Sequence, residues 1–119
     1  MNEHPDPIFE ERLRQLRGLV EADPQDALSR FLLGRELVAA NHFEEASQSF
    51  AEAIRLEPEY TAAYRQLGNC HEKLEQFSEA TSAYVRGVEV AEKTGDLQAG
   101  KEMQAFLRRL ERDRRVRPK

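Results

Sequence analysis

The middle of this chain is written twice. Residues 27–60 and 61–94 share a pattern at an offset of 34, in which Leu33 and Leu67, Gly34 and Gly68, Phe43 and Phe77, Glu45 and Glu79, and Ala46 and Ala80 are identical pairs. Phe50 with Tyr84, Ile54 with Val88 and Leu56 with Val90 are chemically alike, and Pro24 maps onto Pro58. The same offset carries Leu16 and Val20 onto Phe50 and Ile54, so the pattern begins before residue 27. A period of this length marks stacked units, each too small to bury its own apolar face. Neighbouring copies must therefore supply each other's core.

Within each copy the apolar residues recur at helical spacing. The spacing predicts helices over about 8–22, 26–41, 43–56, 60–74, 78–93 and 97–113, with Asp23-Pro24 and Pro58 as stops and Gly95-Asp96 as a C-terminal stop followed by an N-cap. Short connections make sequential antiparallel neighbours the simplest packing. The expected fold is all-α, a solenoid of helical hairpins with about six antiparallel helices. Its organisation reads as a flexible N-terminus (1–7), one domain (8–113) and a basic tail (114–119). The domain divides into a half repeat (8–22), two repeats (27–60 and 61–94) and a capping helix (97–113). Gly34 with Ala46, and Gly68 with Ala80, stand where the two helices of a hairpin can approach closely. Glycine inside a helix costs about 0.5–1 kcal/mol relative to alanine, so its return at one phase implies a packing need.

Composition narrows the function. At 119 residues the chain supports one core. No apolar run approaches the roughly eighteen residues of a membrane span. The start, Met1 to Pro7, lacks the basic and apolar parts of a secretory signal. A single cysteine, Cys70, excludes an internal disulfide framework and suits a reducing compartment, so a cytoplasmic location is expected. The net charge of -4 is unevenly spread: from Arg108 onward seven basic residues face two acidic ones, a balance of +5 that leaves -9 for residues 1–107.

The repeated residues resemble the tetratricopeptide repeat, whose pattern is a Leu-Gly pair followed by Tyr, Ala, Phe, Ala and Pro within 34 residues. The first copy carries it as Leu33-Gly34, Leu37, Ala46, Phe50, Ala53 and Pro58, and the second as Leu67-Gly68, His71, Ala80, Tyr84 and Gly87, with Tyr64 at a position where the family often has Trp. Arg30 for that Trp, Gly87 for Ala and Glu92 for Pro are the departures. Helix 8–22 looks like the second helix of a degenerate earlier repeat, and helix 97–113 like a solvating cap. At least three units are normally needed for a stable stack, so both flanking helices are expected to be required for folding.

The resemblance implies a non-catalytic adaptor that binds another protein or peptide in a concave groove lined by the first helix of each hairpin. Carried onto this chain, the groove positions are Leu28, Phe31, Arg35 and Val38, then Ala62, Arg65, Asn69 and Glu72, with Ala99, Met103 and Phe106 of the last helix extending it. Arg65 and Asn69, like Phe31 and Arg35, lie four apart on one helix face, a wall that suits a carboxylate on the partner. The alternative for these residues is structural: Phe31 and Val38 packed against the first helix, Arg35 and Arg65 solvated or paired with nearby Glu. Self-association through the end surfaces is a variant of the same reading.

Two other classes have less behind them. The arginines from Arg108 to Lys119 offer an anionic ligand or a nucleic acid a salt-sensitive surface, yet arginines late in a helix also suit its negative end. No aromatic interleaves that run, and nucleic acid is not favoured. As for catalysis, Cys70, His71 and Glu72 are adjacent and so point in different directions on a helix, and neither His4 nor His42 has a partner. No cofactor, metal or membrane partner is expected.

Overall fold

The computed structural model describes residues 6–116, with side chains through Arg114. Residues 1–5 of the expected flexible N-terminus and 117–119 of the expected basic tail lie outside this range. Six helices follow in order: α1 (Pro7–Ala22), α2 (Ala27–Ala39), α3 (Phe43–Leu56), α4 (Thr61–Lys73), α5 (Phe77–Thr94) and α6 (Leu97–Val116). The described residues contain no strand. Aspartates open α1 and α2: the Asp6 carboxylate accepts from Ile8 N at 3.0 Å and Asp26 from Leu28 N at 3.2 Å, each meeting an N–H that the helix cannot. Asp96 does the same for Ala99 N at 3.3 Å in α6. Gly95, at φ 80°, ends α5 in the left-handed conformation that glycine adopts without strain. Asn41 at φ 64° and its repeat mate Glu75 at φ 58° make the same turn between the helices of each hairpin. Only the first of these has a side chain that advertises it.

Consecutive helices pack against one another, α2 also packs on α4 and α4 on α6, and an Arg17–Glu45 ion pair at 2.6 Å links α1 to α3. Among the described residues α3 and α5 do not meet. The first helices are thus drawn together while the second helices splay, and the layer curves with α2, α4 and α6 on its inner side. The domain measures 42 × 39 × 20 Å. No described helix is long and apolar enough to cross a membrane.

The expected close approach inside each hairpin is present, and an aromatic ring explains it. A Cβ on Gly34 would stand 2.7 Å from the Phe50 ring, and one on Gly68 would fall still closer to Tyr84. Both rings are completely buried. Glycine leaves a notch in the first helix, and the aromatic of the second helix fills it. Gly87 is a notch of another kind, because a Cβ there would collide with Met103 and with Tyr64. The position where the pattern has alanine is here taken by a neighbouring helix.

Arg30 accounts for the missing aromatic of the first copy. Tyr64 donates its hydroxyl to the carbonyl of Pro58 at 2.7 Å, and Arg30 donates Nη2 to the carbonyl of Pro24, the repeat mate, at 3.3 Å. A guanidinium at the end of a long stem thus reproduces the tyrosine's bond.

Candidate interaction surface

The inner faces of α2, α4 and α6 carry the proposed groove, and the structure sorts its residues into two groups. Leu28 is 53% exposed and Arg35 is exposed, without an ion pair among the described residues. Val38 and Ala62 are half-buried. Phe31, in contrast, belongs to the core, where it lies edge-on to Phe50 at 5.5 Å and stacks on Tyr60 at 4.9 Å. It shapes the floor of the groove and offers little of itself to a partner.

Met103 is a correction. It is fully buried, and so it contacts α5 where the expectation had it facing a partner. The reason is a change of period. α4 begins 34 residues after α2, at 61 against 27, but α6 begins 36 after α4, at 97, because α5 runs 18 residues where α3 runs 14. At about 100° per residue, a two-residue slip turns the helix by roughly 200°, and Met103 takes the place that Leu67 holds in α4. Phe106 is half-buried, 5.2 Å from the Tyr84 ring, with the Arg109 guanidinium over its face at 5.6 Å. Ala99 is also packed against the core.

Polar residues of the groove are tied across helices. Arg65 Nη1 donates to Glu102 Oε1 of α6 at 3.3 Å. Glu72 accepts from both ends of the Arg109 fork, at 2.8 and 2.9 Å. The Tyr84 hydroxyl lies 2.5 Å from Glu72 Oε2 and 2.6 Å from Asn69 Oδ1. It has one hydrogen to donate at a time, and the charged carboxylate is the stronger acceptor. Glu72 therefore joins α4, α5 and α6 at one point. Burial works against its ionisation, but the hydrogen bonds from Arg109 and Tyr84 and the charge of Arg109 outweigh it and hold the carboxyl below its ordinary value. Burial, reinforced by Glu72, holds the Tyr84 phenol protonated well above its usual range.

This arrangement predicts acid sensitivity of one sign. A carboxyl whose folded pKa is depressed adds stability above its unfolded value, here 4.5, and that contribution disappears as pH falls from there through the folded value. Urea midpoints measured from pH 6 to pH 3 should fall further in the natural chain than in Glu72→Gln; parallel curves would show that the node contributes nothing.

Beside this node, between the α2–α3 turn, α4 and α6, lies a cavity of about 350 Å³. Val38, Phe43 and Cys70 form its apolar side, and Asn69, Lys73 and Arg109 its polar side. Cys70 is buried, which pushes its thiol up to about 11, so it is a neutral wall and not a nucleophile at physiological pH. Lys73, Phe43, Glu102 and Arg109 were not among the groove positions that the repeat assigned. The longer stretch before α6, closed by Gly95-Asp96, is the signal that could have moved α6 into phase and found the last two.

Residues 37–103 match the family model described as tetratricopeptide repeat. The chain belongs to the tetratricopeptide repeat family. A TPR repeat-containing protein of Pseudomonas aeruginosa is 35% identical over 99 residues, covering 83% of this chain and 94% of the relative. A Bordetella parapertussis protein solved in solution shares 30% identity at a TM-score of 0.74, over 85% of this chain and 88% of that one. The first tetratricopeptide domain of Spaghetti, solved with an HSP90 peptide, matches in fold at a TM-score of 0.77 and 21% identity, covering 88% of this chain and 79% of that chain. Domains of this family and fold are generally interaction modules rather than enzymes.

Proposed function

We propose that this tetratricopeptide repeat protein is a non-catalytic adaptor that holds an extended segment of another protein against the inner face of α2, α4 and α6. The observation that carries the reading is the exposure of two side chains on α2. The aromatic keys Phe50 and Tyr84 are fully buried, whereas Leu28 is 53% exposed and Arg35 is exposed with no ion pair among the described residues. An open leucine beside an arginine without an ion pair is suited to a binding face. The binding of an HSP90 peptide by the Spaghetti domain supports the same use of the fold.

The test is affinity capture with the intact chain and with a Leu28→Ala, Arg35→Ala double variant. Both side chains are exposed, so the variant should fold unchanged. Recovery of a partner should drop by roughly tenfold or more, the loss expected when an anchoring contact worth about 1.4 kcal/mol is removed. A partner held equally by both proteins would move the binding surface off this face.

A further inference from the structure

We infer that the cavity between the α2–α3 turn, α4 and α6 anchors one apolar side chain of the partner segment, and that an Asp or Glu neighbours that residue. The inference rests on the groove reading above and names the chemistry the groove selects. The volume, about 350 Å³, exceeds the roughly 150 Å³ that holds a benzene, so a leucine, methionine or phenylalanine side chain enters together with part of its backbone. Val38, Phe43 and the neutral Cys70 give that side chain an apolar wall.

The mouth decides what may stand beside it. The Glu72 charge is already met by the two bonds from Arg109 and by Tyr84. Lys73, which lines the mouth at the end of α4, is exposed and has no ion pair among the described residues. The mouth is therefore left positive on a chain whose net charge is -4. A basic segment is repelled locally, and a purely anionic polymer gains nothing from the apolar wall. An acidic segment with one apolar anchor satisfies both features.

Selection of random twelve-residue peptides displayed on phage against the intact chain tests this without a known partner. The selected peptides, made synthetically and measured by fluorescence anisotropy, should share one Leu, Ile, Met or Phe with an Asp or Glu within about three residues. Val38→Glu, which closes the cavity, and Lys73→Gln, which removes the exposed charge at the mouth without placing a carboxylate beside Glu72, should each weaken binding about tenfold, the second also lowering its salt dependence. Peptides that are basic or lack an apolar residue, or that lose affinity with Leu28→Ala, Arg35→Ala but not with either cavity variant, would overturn the anchor while leaving the groove standing. Peptides indifferent to all of these substitutions, or no selection at all, would remove both.

Discussion

Replacing Tyr84 with alanine is expected to lower the unfolding free energy by about 3–5 kcal/mol, the range for emptying an aromatic site in a packed core. The ring is fully buried, fills the notch over Gly68 and touches Phe106. Its hydroxyl also reaches Glu72, so the alanine variant loses one of the bonds that hold the carboxylate between α4 and α6. In a stack whose stability is largely a sum of neighbour interfaces, the damage falls on the second hairpin and on the seat of α6 together. Tyr84→Phe separates the two contributions. It keeps the ring and removes the hydroxyl, and should cost less, about 1.5–3 kcal/mol, the range for a hydrogen bond to a charged group. Urea unfolding followed by circular dichroism gives both numbers, and a phenylalanine variant as damaged as the alanine one would mean that the hydroxyl, not the ring, locks the hairpin.

The second large effect is expected at the glycines, with opposite signs at two of them. Gly68→Ala places a Cβ within the space of the Tyr84 ring, which is buried on all sides and has nowhere to swing. Overpacking of this kind costs about 1–3 kcal/mol, which exceeds the roughly 0.5–1 kcal/mol that alanine returns through helix propensity. Gly18→Ala meets no atom within 4 Å on exposed α1 and keeps the propensity gain, so it should stabilise by about 0.5–1 kcal/mol. The melting temperatures of the two variants should move in opposite directions from that of the natural chain. A Gly68→Ala protein that melts higher would show that the notch is not closed as the structure has it.

The two hairpins were legible because the chain contains its own control. Each glycine, alanine and aromatic of residues 27–60 could be compared with a copy 34 positions later, and local spacing alone placed all five connections within a residue or two of where they stand. The Leu-Gly pairs pointed to close helix approach, and the buried rings over Gly34 and Gly68 supply its cause. Glu75 was not readable in the same way: its left-handed turn follows from the geometry of the hairpin, and nothing in a glutamate favours it.

The candidate site divided along the same line. Leu28 and Arg35 lie inside a copy, and both are exposed. Phe31 also lies inside a copy, but whether an aromatic beside the groove faces outward depends on Tyr60 and Phe50, which meet it only in the folded chain. Arg65, which the sequence allows as a groove residue or one paired with a nearby Glu, meets Glu102 of α6, and Glu72 meets Arg109, each across 37 residues of chain.

What the sequence by itself determined is the repeating unit: the helices, their order and the close approach at Gly34 and Gly68 within each hairpin, since each of these depends on residues a few turns apart that occur in two matching sets. The tertiary structure decided the phase of α6, which has no copy to be compared with. Four extra residues in α5 and a two-residue slip in spacing turned that helix so that Met103 went into the core and Arg109 onto Glu72. A helix's periodicity says which residues share a face, and only the surface it packs against says which way that face points.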